Sequence, residues 1–123
     1  MPNKFDRRSI RLKGYDYSEE GLYFVTICCQ NMAHLFGKVV SGQMQLNAAG
    51  LMVNEWIKKL ENKFPDIRID EYVIMPNHLH LLLEINDNSN KSNISSIVRN
   101  FKIKITQWFY QNTDLKEIWK RSY

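Results

Sequence analysis

The segment His78-Leu79-His80-Leu81-Leu82-Leu83-Glu84-Ile85 limits the fold of this chain more tightly than any other. Side chains on a strand alternate between faces. Leu79, Leu81, Leu83 and Ile85 therefore form one wholly apolar face, and His78, His80, Leu82 and Glu84 form the other. A face that apolar has to be covered by a second layer of structure. Immediately upstream, Ile67 to Met75 reads as another strand, and Pro76-Asn77 between the two reads as a turn or a break at its edge.

The covering layer is also legible. Asn47 is placed to cap a helix whose apolar positions Ala49, Val53, Trp56, Leu60 and Phe64 recur at three- and four-residue spacing, and Pro65 stops it. Ser92 or Asn93 caps a longer helix with Ile94, Ile97, Val98, Phe101, Ile105, Trp108 and Phe109 on one face. Ahead of both, Gly21 precedes the β-branched and aromatic run Leu22 to Cys29, which reads as a central strand. Ser41-Gly42 joins two short strands as a hairpin. The order β, hairpin, α, β, β, α, with a fragment after Asn112, predicts an α+β fold. It is a ferredoxin-like (RRM-like) antiparallel sheet with two helices packed on one face.

A chain of 123 residues fits one domain, and 44% hydrophobic residues is too many for a disordered chain. No apolar run approaches the roughly 18 residues of a membrane span, and the N-terminus lacks the apolar stretch of a signal peptide. The adjacent pair Cys28-Cys29 cannot build a disulfide framework. The expectation is a soluble, cytoplasmic protein with no membrane partner, made of a basic arm over residues 1–20 and one domain over 21–123.

The formal net charge of +4 conceals a segregation. Residues 1–13 carry Lys4, Arg7, Arg8, Arg11 and Lys13 against the single acid Asp6. Residues 14–90 hold five basic and ten acidic side chains, and residues 91–123 hold seven basic and two acidic. Two basic ends around an acidic middle are the footprint of a phosphate-binding protein, although solvated basic tails are also common. The second helix adds a detail. Arg99, Ile103, Thr106 and Tyr110 fall opposite its core stripe, and a second protomer (a homodimer), a missing part of the chain and nucleic acid are the candidate partners for that face.

His78 and His80 share a face with Cα atoms roughly 6.5–7 Å apart, close enough for two neutral imidazoles to converge on one divalent ion. Two ligands do not complete a zinc site. Mg²⁺ or Mn²⁺ keeps waters and accepts phosphate oxygens, so a sparse protein site suffices when the substrate supplies ligands. The alternative is two strand histidines with no metal role.

The string Tyr72-Val73-Ile74-Met75-Pro76-Asn77-His78-Leu79-His80 resembles the signature of the HUH single-strand DNA transposases, closest to the REP-associated tyrosine transposases. Arg7 to Tyr17 followed by Gly21 to Cys28 resembles their opening. Leu35-Phe36-Gly37, Leu46 to Gly50, Ile97 to Lys102 and Ile118-Trp119-Lys120-Arg121-Ser122-Tyr123 are also similar, so the likeness runs in order along essentially the whole chain.

That resemblance implies a metal-dependent enzyme of DNA transposition. His78 and His80, with a third polar ligand, would hold Mg²⁺ or Mn²⁺ against the scissile phosphate. A tyrosine hydroxyl would attack the phosphorus, leaving a 5′-phosphotyrosine and a free 3′-OH that can later rejoin strands. Arg7, Arg8, Arg11, Lys13, Arg99 and Lys102 would grip single-stranded or hairpin DNA through its phosphates. In the family the nucleophile lies on a helix beyond the Trp-x-Arg-x-Tyr segment, within which this sequence stops. The expectation is a chain truncated before its nucleophile, with Tyr110 the only substitute on a helix. Two other readings stand beside it: a non-catalytic nucleic-acid-binding module, and an inactive transposon remnant.

Overall fold

A computed structural model describes residues 21–86 and 93–120. Among these residues the strands and α-helices are β1 (Gly21–Cys28), β2 (Gly37–Val40), β3 (Gln43–Leu46), α1 (Ala48–Lys63), β4 (Ile67–Met75), β5 (His78–Ile85) and α2 (Ile94–Asn112), with a single 3-10 turn at Gln30–Met32 after β1. β1, β5 and β4 form an antiparallel sheet in that order, with β5 in the centre. Burial along β5 alternates strictly: Leu79, Leu81, Leu83 and Ile85 are buried and the four residues between them are half-buried. Each apolar side chain so buried contributes about 1.5–3 kcal/mol. Both helices lie on this face, supplying Val53, Ile57 and Leu60 from α1 and Ile97, Phe101 and Ile105 from α2 to one core. The α+β architecture expected from the pattern is the one observed.

Two details differ from the sequence reading. The β2–β3 hairpin forms its own two-stranded sheet and does not extend the central one. Its strands are four residues long and largely exposed, and Leu46 at the end of β3 packs against the core. In α1 the buried stripe runs through Ile57, while Trp56 is only half-buried, with the Lys59 and Lys104 ammonium groups 4.7 and 5.7 Å from its ring centroid. Stepping by four from Val53 reaches Ile57 and leaves Trp56 at the margin.

The local signals act as their chemistry requires. The Asn47 side chain accepts from the Gly50 amide at 2.8 Å, and Asn93 accepts from Ser96 at 2.9 Å, each satisfying a donor at a helix start. Ser41 and Gly42 both adopt positive φ (52° and 78°), as a tight hairpin turn of the primed type demands. Gly50 is required for a different reason, since a Cβ there would collide with the Phe36 carbonyl oxygen. That close approach seats the first turn of α1 against the fully buried Phe36.

Phe36 also helps hold the turn that leads into β5. The Pro76 carbonyl accepts from the Phe36 amide at 3.0 Å, and the Asn77 carbonyl accepts from the Cys29 amide at 2.9 Å. After α2 the chain returns to β1. Trp119 bridges Cys29, flanked by hydrogen bonds from Gln30 to the Ile118 carbonyl at 2.8 Å and from Lys120 to the Cys28 carbonyl at 2.9 Å. Among the described residues no helix is long and apolar enough to cross a membrane.

Candidate metal-binding face

The side of the sheet turned away from the helices carries the histidines. β1 and β5 pair so that Cys28 lies opposite His78, Thr26 opposite His80 and Phe24 opposite Leu82. On the other flank Met75 lies opposite His78 and Val73 opposite His80. The pair therefore sits at the start of the central strand, walled by a strand on each side. The two imidazole rings meet edge to face with centroids 4.9 Å apart.

Each ring is held through Nδ1. The His78 Nδ1 lies 2.6 Å from the Asn77 side-chain carbonyl oxygen, and the His80 Nδ1 lies 2.9 Å from the Thr26 hydroxyl. Phe24 stacks on His80 with centroids 5.2 Å apart and planes inclined by 23°. Partial burial lowers the pKa of His78, because burial penalises the charged ring. Burial lowers that of His80 too, and the neighbouring His78 adds a smaller push in the same direction. Both rings are thereby biased towards the neutral form that offers a lone pair to a cation.

This donor set fits a hard divalent ion in part. Two imidazoles biased to the neutral form face one way, and each has its Nδ1 engaged by a hydrogen-bonding partner, as the non-ligating nitrogen of a metal-bound histidine is. Among the described residues, no group of three or more His, Cys, Asp or Glu side chains is placed to hold an ion. Glu84, the acid on the same face of β5, is paired with Arg68 at 2.9 Å. An ion here would have to complete its shell with water or phosphate oxygens, which suits Mg²⁺ or Mn²⁺ better than structural zinc. Cys28 is half-buried next to His78, whereas Cys29 points into the core, where burial raises its thiol pKa to about 12.

The other candidate residues do not gather at this site. Tyr110 lies on the exposed side of α2, in the helical layer, and its hydroxyl donates to the Lys116 carbonyl at 3.0 Å. The sheet stands between it and the histidines, so Tyr110 is not presented to the pair. Tyr23 is buried in the core, and Tyr72 pairs with Leu81 and donates to Asn54 of α1 at 2.6 Å. All three described tyrosines thus belong to the helical side. Arg7, Arg8, Arg11 and Lys13 lie outside the described residues.

Arg99 and Lys102 line an open groove on α2 together with Ser95, Ile103, Thr106 and Tyr110. α2 contains Arg99, Lys102 and Lys104 and no carboxylate. One end of the face expected to lack a partner is covered by the chain itself: the Trp119 indole donates to the Thr106 hydroxyl at 3.1 Å and to the Lys102 carbonyl at 3.3 Å. Ile103 and Tyr110 stay exposed, at 47% and 57%.

Thr26, Asn77 and Phe24 were not singled out from the sequence as site residues. Asn77 could have been found from its adjacency to His78. Thr26 and Phe24 become visible only once the β1–β5 register is known.

Comparison with known proteins adds the following. Residues 23–123 match the family described as "Transposase IS200 like". An uncharacterized protein of Haemophilus influenzae is 42% identical over 136 residues, an alignment that covers 95% of this chain and 76% of that protein. Among solved structures, a REP-associated tyrosine transposase bound to a REP hairpin is similar, with a TM-score of 0.64 and 22% identity. That match covers 90% of this chain and spans 57% of the transposase, and at this identity it carries the fold.

Proposed function

Because the chain belongs to the IS200-like transposase family, we propose that it acts in DNA transposition by binding single-stranded or hairpin DNA across the His78–His80 face, with a divalent cation between the imidazoles and a DNA phosphate. The observation that carries this reading is the pair itself. Two imidazoles lie 4.9 Å apart, biased to the neutral form and held through Nδ1 on an open sheet face. Bound there, Mg²⁺ or Mn²⁺ would polarise the phosphoryl oxygens and stabilise a leaving oxygen. His78 and His80 orient the phosphate through the ion, while Thr26 and Asn77 support the rings.

The basic groups grip the rest of the nucleic acid. In this proposal residues 1–20 form a phosphate-binding arm through Arg7, Arg8, Arg11 and Lys13, and residues 21–123 form one domain. Arg99 and Lys102 contact phosphates along α2, a helix whose lack of carboxylates favours an anionic partner. The setting is the cytoplasm. The family's covalent step uses a tyrosine, and Tyr23, Tyr72 and Tyr110 are all on the wrong side of the sheet to serve. A second reading rests on the placement of these three, the tyrosines among the described residues: a module that binds nucleic acid without cutting.

Labelled hairpin and single-stranded DNA tests both readings. Binding should tighten with Mn²⁺ in the wild type and lose that response in His78→Ala/His80→Ala. Binding indifferent to Mn²⁺ in both proteins would leave the non-catalytic module. A covalent protein–DNA adduct mapped to Tyr110 would overturn the assignment of the tyrosines. Solution scattering that shows a dimer lost on Ile103→Glu would give the α2 face to a second copy and not to DNA.

A further inference from the structure

We propose that Asn77 and Thr26 are positioning residues that keep the proton of each imidazole on Nδ1, so that Nε2 of His78 and of His80 both offer a lone pair to the same cation. This rests on the reading of the pair as a metal site, and it fixes the tautomer and the ligand atoms, which that reading leaves open.

A neutral imidazole has one N–H and one lone pair, and the hydrogen bond at one nitrogen decides what the other can do. At His78 the decision is complete. A side-chain carbonyl oxygen can only accept, so the Asn77 oxygen at 2.6 Å requires the proton on Nδ1 and leaves Nε2 as the ligand atom. At His80 the partner is a hydroxyl, which can donate or accept. The Thr26 contact at 2.9 Å orients the ring, and in the proposed arrangement the hydroxyl accepts from Nδ1–H and holds the proton there. A cation on Nε2 reinforces that direction, since the lone pair it takes leaves the proton on Nδ1. Phe24, stacked on the same ring, keeps its plane in place.

The two supports also differ in origin. Asn77 is the neighbour of His78 in the chain. Thr26 reaches His80 across 54 residues, through the pairing of β1 with β5. A slip of one residue in that register would turn Thr26 into the core and leave His80 unsupported. The second ligand is thus assembled only by correct sheet formation.

The test uses the full chain labelled with ¹⁵N-histidine, read by long-range ¹H–¹⁵N correlation, with Mn²⁺ binding followed by electron paramagnetic resonance. Wild-type His78 should show the Nδ1–H tautomer without metal. Thr26→Val keeps the side-chain shape and strand propensity but removes the hydroxyl. It should shift the His80 pattern towards Nε2–H, leave His78 unchanged and weaken Mn²⁺ binding by about tenfold. Thr26→Ser should restore both readouts. A purely structural role for Thr26 would lower the melting temperature without moving the His80 tautomer, and that result overturns the proposal. So does a wild-type His78 with its proton on Nε2. If the tautomers respond as stated but the wild type binds no Mn²⁺, the positioning holds and the metal reading falls.

Discussion

The two faces of β5 are built from the same eight residues, yet they have little else in common. Leu79, Leu81, Leu83 and Ile85 are buried under two helices, while His78 and His80, one step away along the backbone, look out between Phe24, Thr26 and Val73. Period-two geometry lets one strand hold the fold together on one side and present two imidazoles on the other. The lesson is separability. Changes on the inner face should cost stability, and changes on the outer face should cost binding.

The largest effect should come from the inner face. Leu81→Ala removes a side chain that is 1% exposed, and urea unfolding should show a loss of about 2–5 kcal/mol. A loss below about 1 kcal/mol would mean that the inner face is not the keystone described. The outer face should behave in the opposite way. His78→Ala/His80→Ala should abolish Mn²⁺ binding while changing unfolding free energy by less than about 1 kcal/mol, in keeping with partly exposed positions. Collapse of the fold in that variant would erase the distinction between the faces.

Two smaller effects sharpen the comparison. Arg99→Ala, on neither face of β5, should weaken hairpin-DNA binding a few-fold and lower the slope of log affinity against log salt by about one. An unchanged slope would remove Arg99 from the phosphate contacts. The smallest effect is in pH. Burial holds the His78 and His80 pKa values below 6.5, so as the pH falls through that value the unfolded chain takes up protons that the folded chain resists. Stability therefore declines with falling pH, and the decline levels off once the folded rings are protonated too. Melting curves from pH 7.5 to 5.5 should show a shallower decline in His78→Gln/His80→Gln than in the wild type.

What the sequence shows and what it hides divide along the range of the forces involved. β4, β5 and both helices are legible because their signals are local: alternation, helical spacing, Asn47, Pro65 and Asn93. The histidine pair is legible for the same reason, since both side chains lie on one strand. Thr26 beneath His80 is not, because its place depends on a register between segments far apart in the chain. Nor is Trp119 over Thr106, which needs the chain to turn back after Asn112. The hairpin itself is legible at Ser41-Gly42, but its separation from the central sheet is not, because strand propensity does not say which ladder a strand joins.

The turn ahead of His78 has a consequence for how the protein can vary. Both carbonyls of Pro76-Asn77 are engaged by amides from two other segments, at Phe36 and at Cys29. An extra residue in this turn would break both attachments at once and rotate the histidines out of phase with Thr26. The hairpin tip at Ser41-Gly42 is exposed and has no such obligations. Length variation should therefore be absorbed at the hairpin and excluded at the histidine turn. The same anchoring means that the turn opens only by giving up its bonds to Phe36 and Cys29, so its amides should exchange more slowly than those of the hairpin tip.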